Sequence, residues 1–346
     1  MSVPGSAAGK PTGAAGVRRG FVLAAGLGTR LRPLSAELPK PAWPLFDVPL
    51  AALVLAALAA AGVEEAVVNL HHRPDRLRAA LEPWVPEGMR VRWSPEAQLL
   101  GTGGALGPWR AFLGEGPFFL ANADTVQQID LAAMARRHRQ AGAAATLAVH
   151  RQEAGRAAPI ELGPGGRVVR FLSARAPGCA GGRPCGFTGI HLLEPEVLDA
   201  LPEGPCCINA DVHARRVARG EPYLGYVLPP GAFWSDLGTP RRYLEAHLAL
   251  LARGRLPARA PGRLVGAEER AEGGGRVVPP SYLGPGARVE RGATAGPYAV
   301  LGAGATVGRG ARVRRSVVWA GARVDAPELD GGIAAPGQAP VGASGL

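Results

Sequence analysis

Gly26-Leu27-Gly28-Thr29-Arg30 follows directly on Gly20-Phe21-Val22-Leu23-Ala24-Ala25, a short apolar run that reads as a buried strand. A strand that breaks into a glycine-containing loop exposes backbone N–H groups, and these can wrap phosphate oxygens. Arg30 adds a planar fork for phosphate, and Lys40, in Pro39-Lys40-Pro41, adds a compact ammonium. Usage singles Lys40 out. Of 39 basic residues 37 are arginine, and the only other lysine, Lys10, lies in a Gly/Ala/Pro-rich leader. A position that keeps lysine in so arginine-rich a chain wants a small, mobile point charge. No GxxxxGK[ST] is present, which excludes a P-loop ATPase, and no GxGxxG opens a helix at this loop, which argues against a dinucleotide site.

The string G-x-G-T-R-x-x-P followed by P-K-P resembles the signature of the sugar-1-phosphate nucleotidyltransferases (NDP-sugar pyrophosphorylases). Four later segments resemble further motifs of that family, in the same order. They are Glu96 to Leu106 (EAQLLGTGGAL), Leu120 to Thr125 (LANADT), Phe187 to His191 (FTGIH) and Trp234 to Pro240 (WSDLGTP). The likeness covers roughly residues 20–250. It implies attack by a sugar-1-phosphate oxygen on the α-phosphorus of a nucleoside triphosphate, with pyrophosphate leaving. The attacking oxygen is already anionic, so catalysis needs alignment and charge neutralisation rather than a side-chain nucleophile.

The resemblance also assigns residues. Asp124 and Asp236 match the family's paired metal aspartates, and Mg²⁺ is the implied ion, held by one or two carboxylates with phosphates and water. Arg30 and Lys40 are expected to grip the triphosphate, with nucleotide contacts from Leu23, Ala24, Ala25, Gly26, Gly28 and Thr29. Glu96 with Gly101, Thr102 and Gly103 matches the base-reading segment. A carboxylate only accepts, and guanine offers N1–H and N2–H₂ side by side, so Glu96 favours GTP. Glu161, Thr188 and Gly189 match sugar-side positions. Relatives carry a second lysine in a stretch like FLEKP, whereas Phe171 to Pro177 here offers only Arg175, with Arg170 just before it, as a phosphate anchor. A second departure is Ala123, where the family has glycine before the first aspartate. A glycine kept for positive φ or close approach would make alanine a source of strain.

These residues need a frame. Phe21–Ala25, Glu65–Leu70, Arg90–Trp93, Phe118–Ala121 and Ala144–His150 read as strands. Ala51–Ala61, Pro74–Leu81, Gly103–Phe112 and Leu131–Ala141 read as helices. The alternation predicts an α/β fold with a doubly wound, mostly parallel sheet, whose ligands sit beyond the carboxyl ends of the strands. After a Pro-rich linker, 251–262, the period becomes six: Leu283, Val289, Ala295, Leu301, Val307, Val313 and Trp319 recur at that spacing. Two residues before each stands Ser281, Ala287, Ala293, Ala299, Ala305, Ala311 or Val317. This resembles the hexapeptide repeat of a short left-handed parallel β-helix over 263–325. Residues 1–19 and 326–346 are Ala/Gly/Pro-rich and read as a disordered leader and tail.

Composition bounds the rest. With 47% hydrophobic residues in 346, the chain can bury a full core. The net charge of +11 is carried by scattered arginines with only 5% aromatics, which argues against nucleic-acid binding. Cys179, Cys185, Cys206 and Cys207 have no CxxC or zinc spacing and read as reduced thiols. Leu50 to Val63 is too short to span a bilayer, so a soluble cytoplasmic protein is expected, with the β-helix as a route to a homo-oligomer. Mannose 1-phosphate with GTP is the first expected substrate pair. The alternatives are the same chemistry with UTP or another sugar, and a catalytically silent nucleotide-sugar-binding regulatory subunit. All seven histidines precede the repeats, which argues against a second, acyl-transfer activity there. Because the matched motifs end by Pro240, removing 264–346 is expected to change assembly more than turnover.

Overall fold

The computed structural model describes residues 16–152 and 158–342, so most of the expected leader lies outside the described residues. The folded part starts slightly earlier than expected: Val17 is buried, Arg18 pairs with Glu64, and the first strand is Arg19–Leu23. Its parallel neighbours are Glu65–Leu70 on one side and Phe118–Asn122 on the other, and Arg90–Pro95 adds a fourth strand beyond Glu65–Leu70. The long strand Arg183–Leu193 then extends the sheet in antiparallel fashion from Phe118–Asn122 and carries Ala145–Arg151 and Ile160–Leu162. The chain therefore leaves the first strand toward one edge and later returns to its other side. That makes a switch point between Arg19–Leu23 and Phe118–Asn122, where the loops after both strands part and leave a crevice.

Helices Leu50–Ala60 and Leu131–Ala141 pack on one face of the sheet through Val54, Leu55, Leu58, Met134 and Ala135. One expected helix does not form. Gly103–Phe112 is broken into Gly101–Gly104, a tight turn at Gly107–Trp109 and Arg110–Leu113. Three glycines weaken helix propensity there, and Pro108 removes a donor in the middle.

The C-terminal part is a parallel β-helix of three short-stranded sheets. Val277, Leu283, Val289, Ala295, Leu301, Val307 and Val313 fill its interior, at the hexad positions. The register then slips by one. Leu301 is stacked on Val318 and Ala299 on Ser316, so Trp319 and Val317 are not the interior and small residues of that hexad. The corner at Arg315, with φ 47°, is one residue shorter than those before it. The expected tail is also partly structured. Glu328–Asp330 and Gly332–Ala334 stack on the preceding coil, and Val341–Gly342 closes the edge, with Leu329 and Ile333 buried. Spacings of 17 and 16 residues between these coils hid the repeat from a strict count of six.

Displaced from the prism interior, Trp319 packs on the N-terminal domain. Its ring lies 5.2 Å from that of Trp43, and its Nε1 donates to Tyr243 Oη at 3.0 Å. Asp47, at the tip of the hairpin after Lys40, accepts from Tyr282 Oη at 3.0 Å and from the Ala303 N–H at 3.0 Å. The β-helix thus covers its outer apolar face with the segment that carries Lys40.

Candidate active site

A cavity of about 340 Å³ opens at the switch point, lined by the loop Gly26–Leu31 and by Leu23, Lys40, Pro41, Leu99, Asp124 and Gly238. Gly28 has φ 59°, a conformation that suits glycine, and its carbonyl is held by Ser35 Oγ at 2.7 Å. The N–H groups of Gly26, Leu27 and Gly28 make no hydrogen bond to another described residue. These are free donors at the mouth of a cavity, with Arg30 beside them.

Lys40 is buried in a short turn of helix, Lys40–Ala42, and its ammonium reaches out between the two aspartates. Nζ donates to Asp124 Oδ2 at 2.7 Å and lies 3.8 Å from Asp236 Oδ1. The aspartates meet because Thr125–Gln127 and Trp234–Asp236 form a two-stranded ribbon in which Asp236 faces Thr125. Arg242 Nη1 donates to the other oxygen, Asp236 Oδ2, at 3.0 Å. The sequence reading missed Arg242. Its signal was its place in the first turn of the helix Pro240–Ala252, which Thr239 caps. Two carboxylates converging on one point of positive charge suit a divalent cation. Among the described residues no His, Cys, Asp or Glu joins them as a third member of a metal-binding group. Ala123 is fully buried and its φ is not positive, so alanine introduces no backbone strain there.

The segment expected to read the base follows Leu99, which lines the cavity. Gly103 and Gly104 donate their N–H groups to the Cys206 carbonyl at 2.9 and 3.3 Å, and Thr102 Oγ1 accepts from the Ile208 N–H at 3.0 Å. A Cβ on Gly101 would fall 2.5 Å from the Cys206 oxygen, so the loop needs that glycine to seat. Glu96 does not hang free in the cavity. It is buried, with Oε1 accepting from Asn69 Nδ2 at 2.7 Å and Oε2 from the Leu100 N–H at 3.1 Å.

The residues expected on the sugar side, Glu161, Arg175, Thr188 and Gly189, are not in the lining of this cavity. Glu161 is gripped on Oε2 by Arg175 at 2.9 Å and on Oε1 by Arg170 at 2.6 Å, and these bonds hold its carboxyl below the usual range. Both arginines are therefore committed to Glu161 in this structure. Thr188 turns its hydroxyl to the Ala148 carbonyl at 2.8 Å, and Gly189 abuts Asn122, two residues before Asp124.

The nucleotidyl transferase family model matches residues 19–253, from the first strand of the sheet to the end of the helix that carries Arg242. The chain belongs to the nucleotidyl transferase family. Over 239 residues it is 31% identical to the probable mannose-1-phosphate guanylyltransferase 2 of Arabidopsis thaliana, covering 65% of this chain and 63% of that protein. Mannose-1-phosphate guanyltransferase of Schizosaccharomyces pombe is 30% identical over 239 residues, 65% of this chain and 62% of that protein. The chain thus spans less than two thirds of the length of these two relatives. Among solved structures, HddC from Yersinia pseudotuberculosis superposes with a TM-score of 0.55 at 20% identity, over 66% of this chain and 98% of that one, which is a likeness of fold. No helix among the described residues of this family member is long and apolar enough to cross a membrane.

Proposed function

We propose that the protein transfers a nucleoside monophosphate from GTP to mannose 1-phosphate, giving an NDP-sugar and pyrophosphate. The observation that carries the reading is the meeting of Lys40, Asp124 and Asp236 beside the free N–H groups of the Gly26 loop. The N–H groups and Arg30 bind the β- and γ-phosphates, so that the α-phosphorus faces the second substrate. An oxygen of the sugar phosphate forms the new P–O bond, the bond to the β-phosphate oxygen breaks, and no proton needs to move. Asp124 and Asp236 would hold Mg²⁺, which when bound neutralises charge between two anionic substrates. Lys40 Nζ, at the end of its buried stem, is then released from Asp124 toward the phosphates. The names of the relatives support guanine and mannose.

The test is pyrophosphate release with Mg²⁺ across a panel of NTPs and sugar 1-phosphates. Turnover is expected, with GTP and mannose 1-phosphate as the best pair. Turnover by a different pair would keep the chemistry and change the specificity. No turnover with any pair would overturn the reading and leave a silent nucleotide-sugar-binding subunit.

A further inference from the structure

The Gly26 loop and the Gly101 loop come from different crossovers, and the described structure joins them through one buried amide. Asn69, near the end of the strand Glu65–Leu70, is 3% exposed. Its Oδ1 accepts the Ala24 N–H at 2.6 Å, at the root of the Gly26 loop. Its Nδ2 donates to Glu96 Oε1 at 2.7 Å, and Glu96 Oε2 accepts the Leu100 N–H at 3.1 Å, at the root of the Gly101 loop. The order of donors and acceptors is unbroken from one loop to the other.

The carboxamide of Asn69 matches the middle place, with an acceptor on one arm and a donor on the other. Ala24 presents a donor and Glu96, when ionised, can only accept, so the residue between them must accept on one side and donate on the other. The chain is out of water, where a mismatched polar group is costly and a matched one is rigid. The end of the same strand braces both loops again through backbone. His71 Nδ1 lies 2.9 Å from the Glu96 carbonyl, and His72 Nε2 lies 3.1 Å from the carbonyl of Ser35, whose own hydroxyl holds Gly28.

We infer that Asn69 is a positioning residue for nucleotide binding, which through Glu96 sets the spacing of the phosphate loop and the base loop. The inference rests on the reading of those loops as nucleotide contacts. It makes Glu96 a strut as well as a group near the base, and it predicts coupling between two positions 27 residues apart.

The experiment compares the wild-type protein with Asn69→Asp, and with Asn69→Asp combined with Glu96→Gln. In the single variant two carboxylates face each other and the strut opens. In the double variant the glutamine amide donates to the aspartate and its carbonyl accepts from Leu100, so the strut is rebuilt with one bond reversed. The probe is a non-hydrolysable GTP analogue, with mannose 1-phosphate as the control ligand and the melting midpoint as the control for folding. Asn69→Asp is expected to raise Kd and KM for the nucleotide at least about ten-fold, the scale of a charge-assisted hydrogen bond. The KM for the sugar phosphate should move less than about two-fold. The double variant should return to within about three-fold of wild type. If Asn69→Asp does not fold, Asn69→Ser, too short to reach Glu96, carries the same comparison. Unchanged nucleotide affinity in the single variant overturns the inference while leaving the proposed function intact. A double variant no better than the single also overturns it, because the Glu96 charge itself would then be what matters. A wild-type protein that binds no nucleotide overturns both.

Discussion

Lys40→Met removes the one ammonium that reaches both aspartates, and its expected signature is a large loss of turnover with a small loss of stability. Nζ stands 2.7 Å from Asp124 Oδ2 and 3.8 Å from Asp236 Oδ1. At an effective dielectric of about 20 the nearer contact has a gross Coulomb energy of roughly 6 kcal/mol. Asp124 keeps 38% of its side chain exposed, so water screens most of that. The net share in folding is about 1 kcal/mol. Methionine fills nearly the volume of the lysine stem in a slot that is almost closed, and its burial offsets part of the loss. The share in turnover is larger, because negative charge builds on the departing pyrophosphate where the ammonium can follow it. Loss of one group aimed at developing charge costs about 10²- to 10³-fold in kcat. The melting midpoint should fall by no more than about 4 °C for a protein of this size. Steady-state pyrophosphate release and calorimetry on the same sample measure both. A variant that keeps more than about a tenth of wild-type kcat would refute the assigned role, since another group would then carry the charge. A midpoint that collapses together with activity would refute it differently, by making Lys40 a structural counter-ion.

Asp124→Asn should keep the melting midpoint and lower kcat by about 10²-fold or more, because a neutral amide binds Mg²⁺ weakly; near wild-type rates at saturating Mg²⁺ would move the metal role elsewhere. Trp319→Ala should destabilise by about 3–5 kcal/mol and lower kcat as well, since Trp43 lies three residues beyond Lys40; an unchanged midpoint would mean that the two domains are not packed as described. Removing residues 264–346 strips the same face and is now expected to abolish turnover, the reverse of what the motif positions suggest. Acid should weaken the fold before carboxylates titrate. Burial pushes the pKa of His191 down to about 3 and of His247 to about 4, and holds His213 well below its ordinary 6.5. Below 6.5 the unfolded chain binds protons that these folded histidines refuse, so stability present at neutral pH is lost as pH falls toward 4. The slope is up to about 1.4 kcal/mol per pH unit for each histidine. A urea midpoint that stays flat between about pH 7 and pH 5 would contradict this.

Some of this was legible in the sequence because it is encoded locally. Apolar runs ending in Gly26 or Asp124 announce strands that finish at one edge of a parallel sheet, and the hexads from Leu283 to Val313 announce a prism whose interior they fill. Hydrophobic period and turn residues act over a few positions, so spacing alone carries them. What the tertiary structure decided involves partners far apart in the chain. Lys40 meets Asp124 across 84 residues, Asn69 links Ala24 to Glu96, and Arg242 reaches Asp236 from a helix that no motif singled out. Glu161 and Arg175 were named from the resemblance alone, and folding set them against each other rather than in the cavity. Trp319 stood in perfect hexad spacing, yet one shortened corner turned it out of the prism and onto Trp43. Periodicity determines which residues share a face. Where two faces meet, and which charges they bring within 3 Å of one another, depends on how crossovers and domains pack, and no local pattern records that.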